Sequence, residues 1–173
     1  SFKLSKKEIN ILSTQRPWGL ILFKRNIKSL RQIKSLIKKI RKITKDSKFP
    51  IMIDEEGKTV TRLTKIIDHN VSQKLFGDFY RFNPKTSVKV YKNYINYLCD
   101  LLRTIGINMN TVPVLDVLRK KTTKAIGSRS FSHDPNIVKK LGQICVNQYK
   151  LNKLATVIKH IPGHGCTTLD SHL

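Results

Sequence analysis

Apolar residues recur at three- and four-residue steps from Leu30 to Ile43, at Leu30, Ile33, Leu36, Ile37, Ile40 and Ile43. Lys and Arg fill the positions between them, so the segment predicts an amphipathic helix with a cationic outer face. A short continuous apolar run, Gly19 to Phe23, precedes it, and another, Pro50 to Ile53, follows it. Two strands flanking one helix make a βαβ unit. Strands that are continuously apolar rather than alternating favour a parallel sheet covered on both faces. The rhythm then repeats. Ser87 to Ile105 reads as a helix with Val88, Tyr91, Ile95, Leu98, Leu102 and Ile105 along one side, stopped by Gly106. Ile107 to Val117 holds the next strand and its exit loop, broken by Pro113. Asp134-Pro135 pairs an N-cap residue with Pro at the first helical position, and that helix runs to about Leu151. Ala155 to Ile158 forms the last strand. The alternation means an α/β fold, and a doubly wound sheet or part of a barrel both satisfy it. In either, ligands sit at the carboxyl ends of strands. That rule points to Lys24-Arg25-Asn26, Asp54-Glu55-Glu56, Asp116 and Lys159-His160.

The composition is that of a globular chain: 173 residues, 39% hydrophobic and 26% charged, with eight Gly and six Pro. A complete (β/α)8 barrel typically takes about 250 residues, which this length does not reach. The 34 Lys plus Arg against 11 Asp plus Glu leave a net charge of +23. Such an excess is the footprint of a nucleic-acid or anionic-surface binder. Here the charge is mostly Lys, is spread along the chain and accompanies no zinc-finger or RRM signature. A Lys-rich surface is therefore the preferred reading over nucleic-acid binding. Cys99, Cys145 and Cys166 are odd in number and widely spaced, which argues against a disulfide framework or zinc site and suits a reducing cytoplasm. No apolar run approaches the roughly 18 residues of a membrane span.

Because acids are scarce, their placement is informative. Asp54, Glu55 and Glu56 are consecutive, directly after a strand run, with Arg62 eight residues beyond Asp54. A strand-end acidic cluster can be a ligand site, and it can equally be a turn or an N-cap. The segment Gly127 to Phe131 carries Arg129, a residue type suited to carboxylates and sugar hydroxyls. Lys159 to His172 is the richest stretch, with three His, one Lys, one Asp, one Pro and two Gly. Loops with such geometry and so many titratable groups are commonly functional. The His spacings do not match a zinc motif. Asp170 and His172 are two apart and can meet in a loop, the arrangement of an acid/base dyad.

The stretch VIKHIPGHGCTTLDSHL, residues 157–173, resembles the signature of family 3 glycoside hydrolases of the bacterial β-N-acetylhexosaminidase type, K-H-(F/I)-P-G-H-G-x-T-x-x-D-S-H. Four further segments resemble the family in the same order. PWGLILFKRNI is similar to its first strand, PIMIDEEGKTVTRL to D-x-E-G-G-R-V-x-R, LRTIGINMNTVPVLDV to G-I-N-x-x-x-A-P-V-L-D-V, and IGSRSFSHDPNIVKKLG to I-G-x-R-x-(F/Y)-x-x-D-P. The five together span nearly the whole chain.

The resemblance implies the N-terminal part of one catalytic (β/α)8 TIM-type barrel, residues 1–173, with roughly its first five strands. It implies hydrolysis of terminal β-linked N-acetylglucosamine, in bacteria from cytosolic peptidoglycan fragments during cell-wall recycling, by a monomeric cytoplasmic enzyme without cofactor or metal. The expected substrate is a GlcNAc-containing muropeptide or disaccharide. By motif position Asp54, Arg62, Arg129, Lys159 and His160 would bind the terminal sugar. His172 would be the acid/base, with Asp170 orienting it. Retention needs a carboxylate nucleophile as well. In the family that Asp lies well beyond D-S-H, so it is expected outside these 173 residues. An inactive sugar-binding relative and a basic nucleic-acid binder are the alternatives. Three positions depart from the pattern: Lys58 and Thr59 replace the second Gly and the Arg, and Cys166 stands where Asp or Asn is common.

Overall fold

The computed structural model describes residues 1–168. In chain order it contains α1 (Lys6–Asn10), β1 (Leu20–Leu22), α2 (Leu30–Thr44), β2 (Ile51–Ile53), α3 (Gln73–Phe82), α4 (Pro84–Ile105), β3 (Met109–Asn110), α5 (Pro135–Leu151) and β4 (Ala155–Thr156). The four strands form one parallel sheet in the order β1-β2-β3-β4. Each strand is joined to the next by helix, and sequential order with parallel pairing is the pattern of a barrel wall rather than of a doubly wound sheet. Four strands lie among the described residues where roughly five were expected.

The helices begin and end where local chemistry dictates. Ser29, Ser72, Asn83 and Asp134 each cap a helix N-terminus by accepting a backbone N–H. Pro84 and Pro135 occupy first helical positions. Gly106 ends α4 with φ 101°. The helix expected from Ser87 thus starts three residues earlier, at the Asn83-Pro84 signal. The strands are shorter than their apolar runs, and in β3 and β4 it is the last part of the run that leaves the ladder. Val114 still bridges Lys159 in parallel beyond β3 and β4.

In β2, Ile51 and Ile53 are fully buried while Met52, on the other face, is only half-buried. Ile53 belongs to one continuous core with Ile33, Ile37 and Ile40 of α2 and Ile95, Leu98 and Leu102 of α4. Across the ladder, Ile21, Met52, Met109 and Ala155 form a row on the face away from the helices. That row faces a barrel's interior. Among the described residues, no helix is long and apolar enough to cross a membrane.

The helix α3 was not expected from the sequence. Its apolar residues are interrupted by Gly77, and the reason is a close approach. A Cβ on Gly77 would lie 1.8 Å from the Phe131 carbonyl oxygen. The helix therefore sits directly on the segment that carries Arg129.

Candidate active site

The strand alternation continues past β2 and sorts the three acids. Asp54 and Glu56 fall on the open face with Met52, and Glu55 falls on the helix side with Ile53. Asn110 fixes this geometry, its side chain accepting from the Glu55 N–H at 2.9 Å and donating to the Glu55 carbonyl at 2.9 Å.

Asp54 lies among donors. Arg62 Nη2 reaches Oδ2 at 3.0 Å, Thr111 donates to Oδ1 at 2.5 Å, and Lys159 Nζ is 3.3 Å from Oδ1. Lys159 also donates to Thr111 at 2.7 Å and forms an ion pair with Glu56. Arg129 grips Glu56 with two parallel bonds, 2.7 Å from Nε and 3.0 Å from Nη2. Partial burial pushes the Asp54 carboxyl up. The Thr111 hydrogen bond, the Lys159 ammonium and Arg62 outweigh it and hold the group below its ordinary value.

His160 adjoins this cluster. Its Nδ1 lies 2.6 Å from Asp116 Oδ2, and its Nε2 lies 3.4 Å from Arg129 Nη2. Asp116 is buried and takes a second bond at 2.5 Å from the His164 N–H. A carboxylate at Nδ1 fixes that nitrogen as the proton carrier, and leaves Nε2 to accept. Arg129 Nη2 faces Nε2.

Arg129 is placed from α3. Gln73 donates to the Arg129 carbonyl, and its side-chain oxygen accepts from the Val114 N–H at 3.3 Å. The Arg62 guanidinium stands 5.6 Å from the Phe23 ring centroid, with its Nε buried and, among the described residues, without a hydrogen-bond partner.

All five expected binding residues, Asp54, Arg62, Arg129, Lys159 and His160, thus come together at the carboxyl ends of β2, β3 and β4. Asp170 and His172 lie outside the described residues. Glu56, Thr111, Asp116 and Gln73 complete the site beyond those five; the strand-end rule had pointed to Glu56 and Asp116, but the motif-based assignment gave them no role. Glu56 and Asp116 carried a signal, since each follows a strand run. Thr111 and Gln73 carried none.

The departures have local accounts. Gly57 takes φ 138°, and a Cβ there would lie 2.2 Å from the Val71 carbonyl oxygen, so the first Gly is required. Lys58 does not share that positive φ. Its N–H donates to Val71 at 2.9 Å, and the Thr59 hydroxyl meets Ser128 at 2.8 Å. Cys166 is exposed, whereas Cys99 and Cys145 are buried and burial pushes both thiols up to about 12. Among the described residues, no group of three or more His, Cys, Asp or Glu is placed to hold a metal ion.

Comparison with known proteins gives consistent matches. Residues 1–173 match the model described as the glycosyl hydrolase family 3 N terminal domain. A beta-hexosaminidase of Hydrogenovibrio crunogenus is 32% identical over 155 residues, 90% of this chain and 43% of that protein. A beta-hexosaminidase of Actinobacillus pleuropneumoniae is 31% identical over 99% of this chain and 48% of its own length. The crystal structure of native NagZ from Neisseria gonorrhoeae superposes with a TM-score of 0.91 at 27% identity, covering 100% of this chain and 50% of that one. The same protein in complex with N-trifluoroacetyl-D-glucosamine gives 0.89 at 28% identity, covering 100% of this chain and 51% of that one. The chain spans about half the length of these relatives.

Proposed function

The chain belongs to glycosyl hydrolase family 3, and on that premise we propose that the whole protein removes terminal, non-reducing β-linked N-acetylglucosamine. The substrate is a muropeptide or disaccharide released from peptidoglycan, cleaved in the cytoplasm with retention of configuration. The observation that carries the reading is the convergence of Asp54, Arg62, Lys159, Arg129 and His160 on one strand-end surface. Cations alternate there with carboxylates, so hydroxyl donors and acceptors of a sugar both find partners. Asp54 accepts from sugar hydroxyls, while Lys159, Arg62 and Arg129 donate to hydroxyl oxygens and to the N-acetyl carbonyl.

In this mechanism His172 protonates the glycosidic oxygen and then activates water, with Asp170 fixing its tautomer. That assignment rests on the D-S-H motif at residues 170–172. The nucleophile is a carboxylate outside these 173 residues. In Asp54, Glu56 and Asp116 both carboxylate oxygens already take bonds from other groups of this chain.

The test is release of 4-nitrophenol from 4-nitrophenyl N-acetyl-β-D-glucosaminide by the full-length protein. His172→Ala is expected to lower the rate by roughly 10²–10⁴-fold, the usual worth of general acid/base catalysis. Asp54→Ala is expected to raise KM more than it lowers kcat. No release by the unsubstituted protein overturns hydrolysis, and retained N-acetylglucosamine binding in that case supports an inactive sugar-binding relative. An unchanged rate in His172→Ala removes that residue from the chemistry.

A further inference from the structure

Glu55 is fully buried and faces away from the sugar-binding surface. A lone ionised carboxylate in such a place is costly, and it persists only where donors replace its water. Four donors do so. The Thr61 hydroxyl at 2.6 Å and His69 Nδ1 at 2.5 Å share Oε1. The N–H groups of Arg62 at 2.8 Å and Leu63 at 3.1 Å share Oε2. Residues 61–63 belong to no helix or strand. Their backbone is fastened by this side chain in place of a ladder, and the fastened residue is the one whose guanidinium meets Asp54.

The fastening has a second layer. On its far side His69 Nε2 meets the Tyr94 hydroxyl of α4. Burial first, then the nearby Glu55 and Cys145, push the Tyr94 hydroxyl up. It therefore keeps its proton at neutral pH. The partners assign one consistent chain, with Tyr94 O–H donating to Nε2 and Nδ1–H donating to Glu55. Among the described residues, neither His69 nor Tyr94 hydrogen-bonds to Asp54, Arg62, Arg129, Lys159 or His160, and nothing in the proposed chemistry uses them.

We propose that Glu55 is a positioning residue for Arg62, and that the buried Glu55–His69–Tyr94 chain fixes the carboxylate on which the Arg62 backbone hangs. Its kinetic consequence rests on the reading of Arg62 as a sugar-binding residue; the positioning itself does not.

The experiment has an arm free of substrate. In the unsubstituted full-length protein, amide hydrogen exchange at Arg62 and Leu63 is expected to be slowed at least about 100-fold relative to an open loop. Exchange at open-loop rates overturns the proposal. The second arm is kinetic. Glu55→Ala is expected to raise KM about tenfold while kcat per active site stays within about twofold, the pattern of lost binding rather than lost chemistry. Glu55→Gln retains an acceptor for the two N–H groups and should keep KM within about threefold of the unsubstituted value. A Glu55→Ala protein that melts earlier but keeps its KM makes Glu55 merely structural and overturns the proposal. If Glu55→Ala does not fold, exchange in the unsubstituted protein and KM in Glu55→Gln decide. Absence of turnover in the unsubstituted protein counts against the proposed hydrolysis alone, because the exchange arm reads the positioning without it.

Discussion

Asp54 illustrates how one residue couples the candidate site to folding. Three donors from three separate stretches of chain converge on it, Arg62, Thr111 and Lys159. Their sum holds its carboxyl below the ordinary range despite burial. The unfolded chain, with an ordinary carboxyl of about 3.9, then binds the proton more readily than the native one. Asp54 thus contributes stability that is complete above about pH 4, and that is lost as pH falls through the lower native value. Asp54→Asn should flatten the acid limb of stability against pH, read from urea midpoints between pH 5 and the lowest pH at which the protein stays folded. An unaltered limb would show that the three contacts do not favour the ionised form. Asp116 makes a different demand, since it is buried and serves the His160 ring and the His164 N–H together. Asp116→Ala should destabilise by about 1–3 kcal/mol, the cost of leaving buried donors unmet. Denaturant midpoints check it, and a loss below about 0.5 kcal/mol would mean that water serves those donors as well.

Elements show where pattern reading succeeds and where it stops. The helix α2 announces itself through six apolar positions at helical spacing, and four of them, Ile33, Leu36, Ile37 and Ile40, are buried. The helix α3 does not, because what fixes it is contact with Phe131, more than 50 residues on, and no local spacing encodes that. Gly77 is the evidence: its missing side chain lets α3 rest against the Phe131 backbone. Gly77→Ala raises helix propensity by up to about 1 kcal/mol but adds a methyl group that has no room. It should lower stability by about 1–3 kcal/mol, as overpacking usually does, and lower the melting temperature with it. Since α3 also carries Gln73, which holds the Arg129 carbonyl, the same variant should weaken the proposed N-acetylglucosamine binding of the full-length protein. A variant as stable as the parent would show that α3 can retreat from Phe131 without cost.

For the molecule as a whole, the outer edges of β1 and β4 are unpaired among the described residues. Val157, Ile158 and Ile161, just past β4, and Trp18, just before β1, are exposed. Exposed apolar edges are templates for association. The 173 residues expressed alone should self-associate with rising concentration in sedimentation velocity, and a concentration-independent monomer would count against it. The +23 charge does not converge on the site, where cations and acids are interleaved in near balance. Much was legible in the sequence: the β-then-α order, the Asp134-Pro135 helix start, and, through the resemblance of their motifs to a known family, the five residues that the structure brings to one surface. The first two depend on local periodicity and capping chemistry, and the third on the family resemblance. Tertiary structure decided the rest. It chose a sequentially ordered parallel wall over a doubly wound sheet, because strand order is a property of pairing between distant segments. It turned Asp54 and Glu56 toward the open face and Glu55 into the core, because a two-residue alternation acquires inside and outside only once helices cover one face. It joined Asp116 to His160 and Glu55 to His69 and Tyr94, contacts across 14 to 44 residues that only the packed chain can close.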